Sequence, residues 1–120
     1  MGQVNALAGM RVAIGAGAWL APNLTGRLFG LDPKANPQMT FMGRLFGVRD
    51  LALGIGALAS QDESRRLWLQ LGAGCDALDA IAASRGARDG SLPKFAAVLS
   101  GTAAVSALAL GVRALLSSER

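Results

Sequence analysis

Residues 95–112, "FAAVLSGTAAVSALALGV", run for 18 positions without a charge between Lys94 and Arg113. As a helix this stretch rises about 27 Å, close to the roughly 30 Å hydrocarbon core of a bilayer. A surface helix of a soluble bundle repeats charged residues on its outer face. Here Ser100, Thr102 and Ser106 are the only polar interruptions. The run therefore requires apolar surroundings on most of its circumference, and the rest of the chain has to meet that demand.

Three further apolar runs precede it. Residues 6–22 are interrupted by Arg11, residues 39–59 hold Arg44, Arg49 and Asp50, and residues 67–84 hold Asp76 and Asp79. The punctuation between them suits helices. Asn36 before Pro37 is a candidate cap for a helix beginning at that proline, and "SQDE" at 60–63 has the spacing of a capping box between Ser60 and Glu63. "RGARDGSLPK" at 85–94 reads as a Gly-rich turn, with Ser91 ahead of Pro93. β-branched and aromatic residues are too sparse for strands. The expectation is a single all-α domain over 1–120, a four-helix transmembrane bundle with short loops and helices near 4–22, 38–59, 62–84 and 93–116.

Composition excludes several functions. The chain has no His and no Tyr, so neither a His-dependent triad nor His or Tyr ligation of haem is available. Its one cysteine, Cys75, precludes an internal disulfide and offers no metal cluster, and a packing role suits it better than a nucleophilic one. The net charge of +4 is scattered over segment ends without a basic stripe, which argues against nucleic acid. "MGQVNALAGMRV" lacks the basic region of a cleaved signal, and Ala6 stands where a myristoylation signal has Ser or Thr. Charges near the segment ends divide almost evenly. Arg65, Arg66, Arg113 and Arg120 fall to one side, and Arg27, Lys34, Arg85, Arg88 and Lys94 to the other. The positive-inside rule then selects no orientation, which leaves room for insertion both ways up as an antiparallel dimer.

Small residues recur at four-residue spacing, in Gly9/Ala13/Gly17, Gly26/Gly30, Gly43/Gly47 and Ala97/Gly101, a pattern that lets helix backbones approach. The pentapeptide GRLFG occurs twice, at 26–30 and 43–47, and both copies read as packing sequence with an arginine near a helix end or bend. Trp19 and Trp68 lie near run ends, where tryptophan anchors helices at a membrane interface.

The internal charges carry the functional reading. A charge at mid-bilayer costs about 2.5–3.5 kcal/mol or more, so Arg11, Arg44, Arg49, Asp50, Asp76 and Asp79 must pair, reach water or lie near the interfaces. At about 100° per residue, Gly72, Asp76, Asp79 and Ala83 share one stripe, and Gly43, Gly47, Asp50 and Gly54 share another, flanked by Arg44 and Arg49. Facing one another, these stripes bring "GRLFGVRD" against "DALD" within the bundle. Two outcomes are open: an ion-pair network that sets helix register, or a proton donor–acceptor site. Arg11 is expected to snorkel toward the nearer surface.

The "GRLFGVRDLALG" stretch at 43–54 and "DALDAIAA" at 76–83 resemble an uncharacterised family of small bacterial four-helix integral membrane proteins. The resemblance implies a membrane bundle, in a bacterial inner membrane, and supplies no activity. In size and helix count the chain also resembles small multidrug transporters. Those carry a membrane-embedded Glu in the first helix, where this chain has Asn5 and Arg11 and no acid. The reading that results is a homo-oligomeric, multi-pass membrane protein doing cofactor-free acid–base chemistry (isomerisation, cyclisation or epoxide opening) on a lipophilic small molecule or lipid. Asp76, Asp79 and Asp50 are the candidate catalytic acids, Arg44 and Arg49 the positioning bases, with no metal and no cofactor. An accessory subunit of a membrane complex and a small dimeric proton-coupled transporter are the alternatives.

Overall fold

Backbone proximity between glycines organises the molecule. In the computed structural model, which describes residues 2–118, five helices occur and no strand is found among the described residues: α1 (Gly2–Leu20), α2 (Pro22–Leu28), α3 (Met39–Ala59), α4 (Asp62–Asp89) and α5 (Lys94–Ser118). The four long helices occupy the four apolar runs, whose Ala and Leu content favours helix while no proline interrupts an interior. α1 packs most extensively on α3 and α4 on α5, and each of these pairs is antiparallel; the contact between the two pairs is slighter.

α1 and α3 meet backbone to backbone. A Cβ on Gly47 would lie 2.6 Å from the Gly15 carbonyl oxygen, and one on Gly15 would lie 2.7 Å from that of Gly47. Small-residue spacing does bring these helices together. It does so through Gly15, Gly43, Gly47 and Gly54, whereas Gly9 faces open space. Helix periodicity explains the difference, because Gly9 lies off the face that Ala8, Gly15 and Ala18 present.

The short α2 is absent from the sequence expectation, which carries the first helix through Pro22. Proline disfavours the α conformation in the residue before it, and Ala21 takes φ −137° and ψ 67°. α1 stops there, and Pro22 opens α2 at the position proline favours. At the other end, "RGARD" continues α4 beyond the expected residue 84 to Asp89, until Gly90 adopts a left-handed φ of 79°. The expected caps also differ. α3 begins at Met39 and α4 at Asp62, and neither has a side-chain cap bond. Instead the Arg65 Nε–H donates to the Ala57 and Ser60 carbonyls, closing the α3–α4 turn from the C-terminal side.

Small residues fill the interior. Leu7, Ala8, Ala57, Leu69, Ala107 and Ala114 are buried, with Trp68, Leu110 and Leu115 packed against them. The Trp68 ring lies against Gly56 and packs on the core. Bulky apolar side chains point outward: Leu28, Leu78, Phe95 and Val98 are each at least 65% exposed. Of the described helices, α5 alone is long and apolar enough to cross a membrane, over Lys94–Ser117; its most apolar window has mean hydropathy 1.9, and just 22% of that window is buried. The helical bundle is as expected; the charges inside α1, α3 and α4 set those helices apart from α5.

The close approach yields a paired prediction. Gly47→Ala forces a methyl against backbone atoms and is expected to lower unfolding stability by about 1–3 kcal/mol. Gly9→Ala adds a methyl to open space and is expected to raise stability by about 0.5–1 kcal/mol. Chemical unfolding followed by circular dichroism measures both, and equal effects at the two positions would refute the packing assignment.

Candidate functional site

Where the two helix pairs separate, a half-open cavity of about 510 Å³ remains. Its walls come from α1, α3, α4 and α5, and Pro22, Phe29 and Leu31 enclose the end nearest α2. Met10, Ile14, Met42, Phe46 and Leu110 make most of its lining apolar. Five charged residues also line it: Arg11, Arg49, Asp50, Asp76 and Asp79.

Arg11 does not snorkel. It is buried and bidentate to Asp76, with Nη1 donating to Oδ1 at 3.1 Å and Nη2 to Oδ2 at 2.6 Å. Both residues are about 95% buried, so neither has water to solvate it, and the fork geometry satisfies both carboxylate oxygens. Room for the guanidinium comes from Gly72, where a Cβ would stand 2.7 Å from Arg11 Nη2. An Asp one helical turn after a Gly, opposite an Arg on another helix, is the only trace of this pair in the sequence.

The second pair joins α3 to the same helix. Arg49 donates from Nη1 and Nη2 to the two oxygens of Asp79, at 3.0 and 2.7 Å, and its guanidinium lies over the Phe46 ring at 4.6 Å. These two side chains are about one-third exposed. Both forks therefore end on α4, three residues apart, and tie it to α1 and α3.

Asp50 is held differently. It is 5% exposed, its Oδ1 receives no hydrogen bond, and the nearest cation is Arg49 Nη2 at 3.6 Å. Arg49 Nε is likewise buried without a partner. Of the three acids named from sequence, Asp76 and Asp79 are each forked at both oxygens by a separate arginine and do not form a carboxylate pair sharing one proton. Asp50 is the one with a buried oxygen that accepts no hydrogen bond.

Arg44, expected at the edge of this cluster, lies outside it. Its Nε–H donates to the Trp19 carbonyl at 3.1 Å, a group released by the break at Ala21, and its guanidinium sits 5.7 Å from the Trp19 ring centre. Arg44 closes the end of α1 instead of lining the cavity. Cys75 is half-buried and free. Among the described residues, no group of three or more His, Cys, Asp or Glu is arranged to hold a metal ion.

The burial difference predicts unequal costs. Arg11→Met leaves Asp76 buried without a counter-charge and is expected to cost about 3–5 kcal/mol, most of it recovered in the Arg11→Met/Asp76→Leu double variant. Asp79→Asn leaves Arg49 beside Asp50 on a partly exposed face, with an expected cost of about 1 kcal/mol or less. Unfolding free energies of the wild type and these three variants check this, and a double variant no more stable than Arg11→Met would contradict it.

Comparison of the chain with protein families, with curated proteins and with solved structures found no match.

Proposed function

We propose that this protein is a membrane-embedded helical bundle that binds a lipophilic small molecule between its two helix pairs and exchanges a proton with it through Asp50. The observation that carries the reading is an apolar cavity of about 510 Å³ ending at a buried carboxylate that accepts no hydrogen bond at Oδ1. Cavities of roughly 300–1,000 Å³ with mostly apolar walls and a few polar groups are typical of small-molecule sites. A buried acceptor without a donor is costly, and one retained beside a cavity is a site for a donor that arrives with the ligand.

Membrane embedding rests on the inside-out distribution of bulk. Small residues are buried while large aliphatic and aromatic side chains face outward along every long helix, and α5, long and apolar enough to cross a bilayer, has just 22% of its most apolar window buried. A bilayer supplies the apolar surroundings such a surface requires. Reading α1, α3 and α4 as spans too is consistent with their internal charges, since four of these are engaged with one another in two complete forks.

The chemistry open to this site is acid–base, of the isomerisation, cyclisation or ring-opening class, and needs no cofactor. Asp50 is the proton acceptor because its Oδ1 accepts no hydrogen bond. Asp76 and Asp79 act with Arg11 and Arg49 as positioning residues, fixing the depth and width of the cavity.

Native mass spectrometry in a mild non-ionic detergent tests the reading. The wild-type protein is expected to carry a stoichiometric lipophilic adduct, identified after extraction, and Ala104→Phe is expected to expel it while the helical circular dichroism persists. Ala104 is buried and lines the cavity, so the larger ring occupies the ligand's volume. A wild-type protein that is ligand-free, and that takes up no added lipophile, would refute it.

A further inference from the structure

The internal charges sum to zero along the sequence but not in the cavity. With Arg44 bound to the Trp19 carbonyl, the charged residues lining the cavity are two cations, Arg11 and Arg49, and three acids, Asp50, Asp76 and Asp79. Both arginines direct their terminal nitrogens at Asp76 and Asp79, at 2.6–3.1 Å. Asp50 is left with a 3.6 Å approach from Arg49 and no hydrogen bond to Oδ1. The site with all five groups ionised is short of one positive charge. The charge deficit falls on Asp50, whose Oδ1 also lacks a donor, while the neighbouring Arg49 Nε–H lacks an acceptor.

From this we infer that the cavity takes a protonated lipophilic amine, whose ammonium group donates to Asp50 while its apolar body lies along Met10, Ile14, Met42 and Phe46. The inference rests on the proposed small-molecule function and names the class of molecule. A cationic nitrogen supplies both the missing charge and the missing donor. A hydroxyl supplies a donor for Asp50 and an acceptor for Arg49 Nε–H but no charge, and a carboxylate adds a second unpaired negative charge to a low-dielectric site. Asp50 lines the cavity, and turning its buried Oδ1 toward such a ligand breaks no hydrogen bond at that atom, unlike the two carboxylates on α4. The proton balance is simple. If the ammonium passes its proton to Asp50, an N–H bond breaks and an O–H bond forms, and the freed amine lone pair is the nucleophile that a cyclisation requires. No oxidant, reductant or further reactant enters that step.

Three probes with the same phenyl group and four-carbon chain decide the matter: 4-phenylbutylamine, 4-phenylbutan-1-ol and 4-phenylbutyrate, titrated calorimetrically at pH 7 into protein held in a non-ionic detergent. The amine is expected to bind on the order of tenfold more tightly than the alcohol, the value of one charge-assisted hydrogen bond, with the carboxylate weakest. In Asp50→Asn the amine and alcohol are expected to bind equally. Equal affinities in the wild-type protein overturn the amine assignment and leave the lipophile cavity standing. Failure of all three probes to bind overturns the cavity reading and this inference with it. A preference for amine that survives Asp50→Asn overturns the role of Asp50. If that variant does not fold, the wild-type comparison among the probes is decisive by itself.

Discussion

A guanidinium cannot be left unpaired between packed helices, and the Arg11–Asp76 fork is where this chain meets that constraint. Both groups are removed from solvent, so the pair holds only with both bonds made and α1 and α4 in one register. Gly72 is part of the same requirement, since a methyl there would occupy the space of Arg11 Nη2. The second fork, Arg49 to Asp79, meets α4 one helical turn further along its face and sets the position of α3. Two points on one helix, engaged by two other helices, join the bundle's halves beside the shared core of Leu7, Ala57, Leu69 and Ala107.

Within each half the cohesion is of another kind. α1 and α3 approach closely enough for Gly15 and Gly47 to exclude even a methyl group, and α4 lies on α5 through Ala73, Ala83, Gly101 and Gly111. Dispersion between closely spaced backbones needs no large side chains, which are consequently available to face outward. The two glycines that line the cavity, Gly26 and Gly43, bring no backbone of one half against the other. Ion pairs bridge that region, and the space they leave is the cavity. Architecture and candidate chemistry thus draw on the same charged residues, with Asp50 the one that architecture does not use.

The GRLFG duplication shows how far local sequence reaches. The copy at 43–47 lies inside α3, with its two glycines against Pro22 and Gly15. The copy at 26–30 ends α2, and its last glycine takes a left-handed φ of 84° against Phe95 and Ala96. The five residues are identical, but their C-terminal neighbours differ. "LDP" turns the chain away from helix ahead of Pro33, while "VRDLALG" continues it. The same dependence on context places Arg44 at the end of α1 rather than in the charge cluster. The free Trp19 carbonyl it binds exists only because Pro22 interrupts a run that apolar patterning alone makes continuous.

The sequence by itself determined that the chain is helical, where its four long helices run, and that "GRLFGVRD" and "DALD" carry charges that must be compensated. Those properties follow from periodicity, proline and the cost of an unpaired charge, all of which act over a few residues or independently of partner. Which arginine compensates which aspartate was decided by tertiary structure alone. Arg11 and Asp76 are 65 residues apart, and pairing at that separation depends on helix rotation and on the cleft at Gly72. The surplus of negative charge in the cavity belongs to that second category as well. It arises only when three-dimensional packing removes Arg44 from a set of six charges whose sum along the chain is zero.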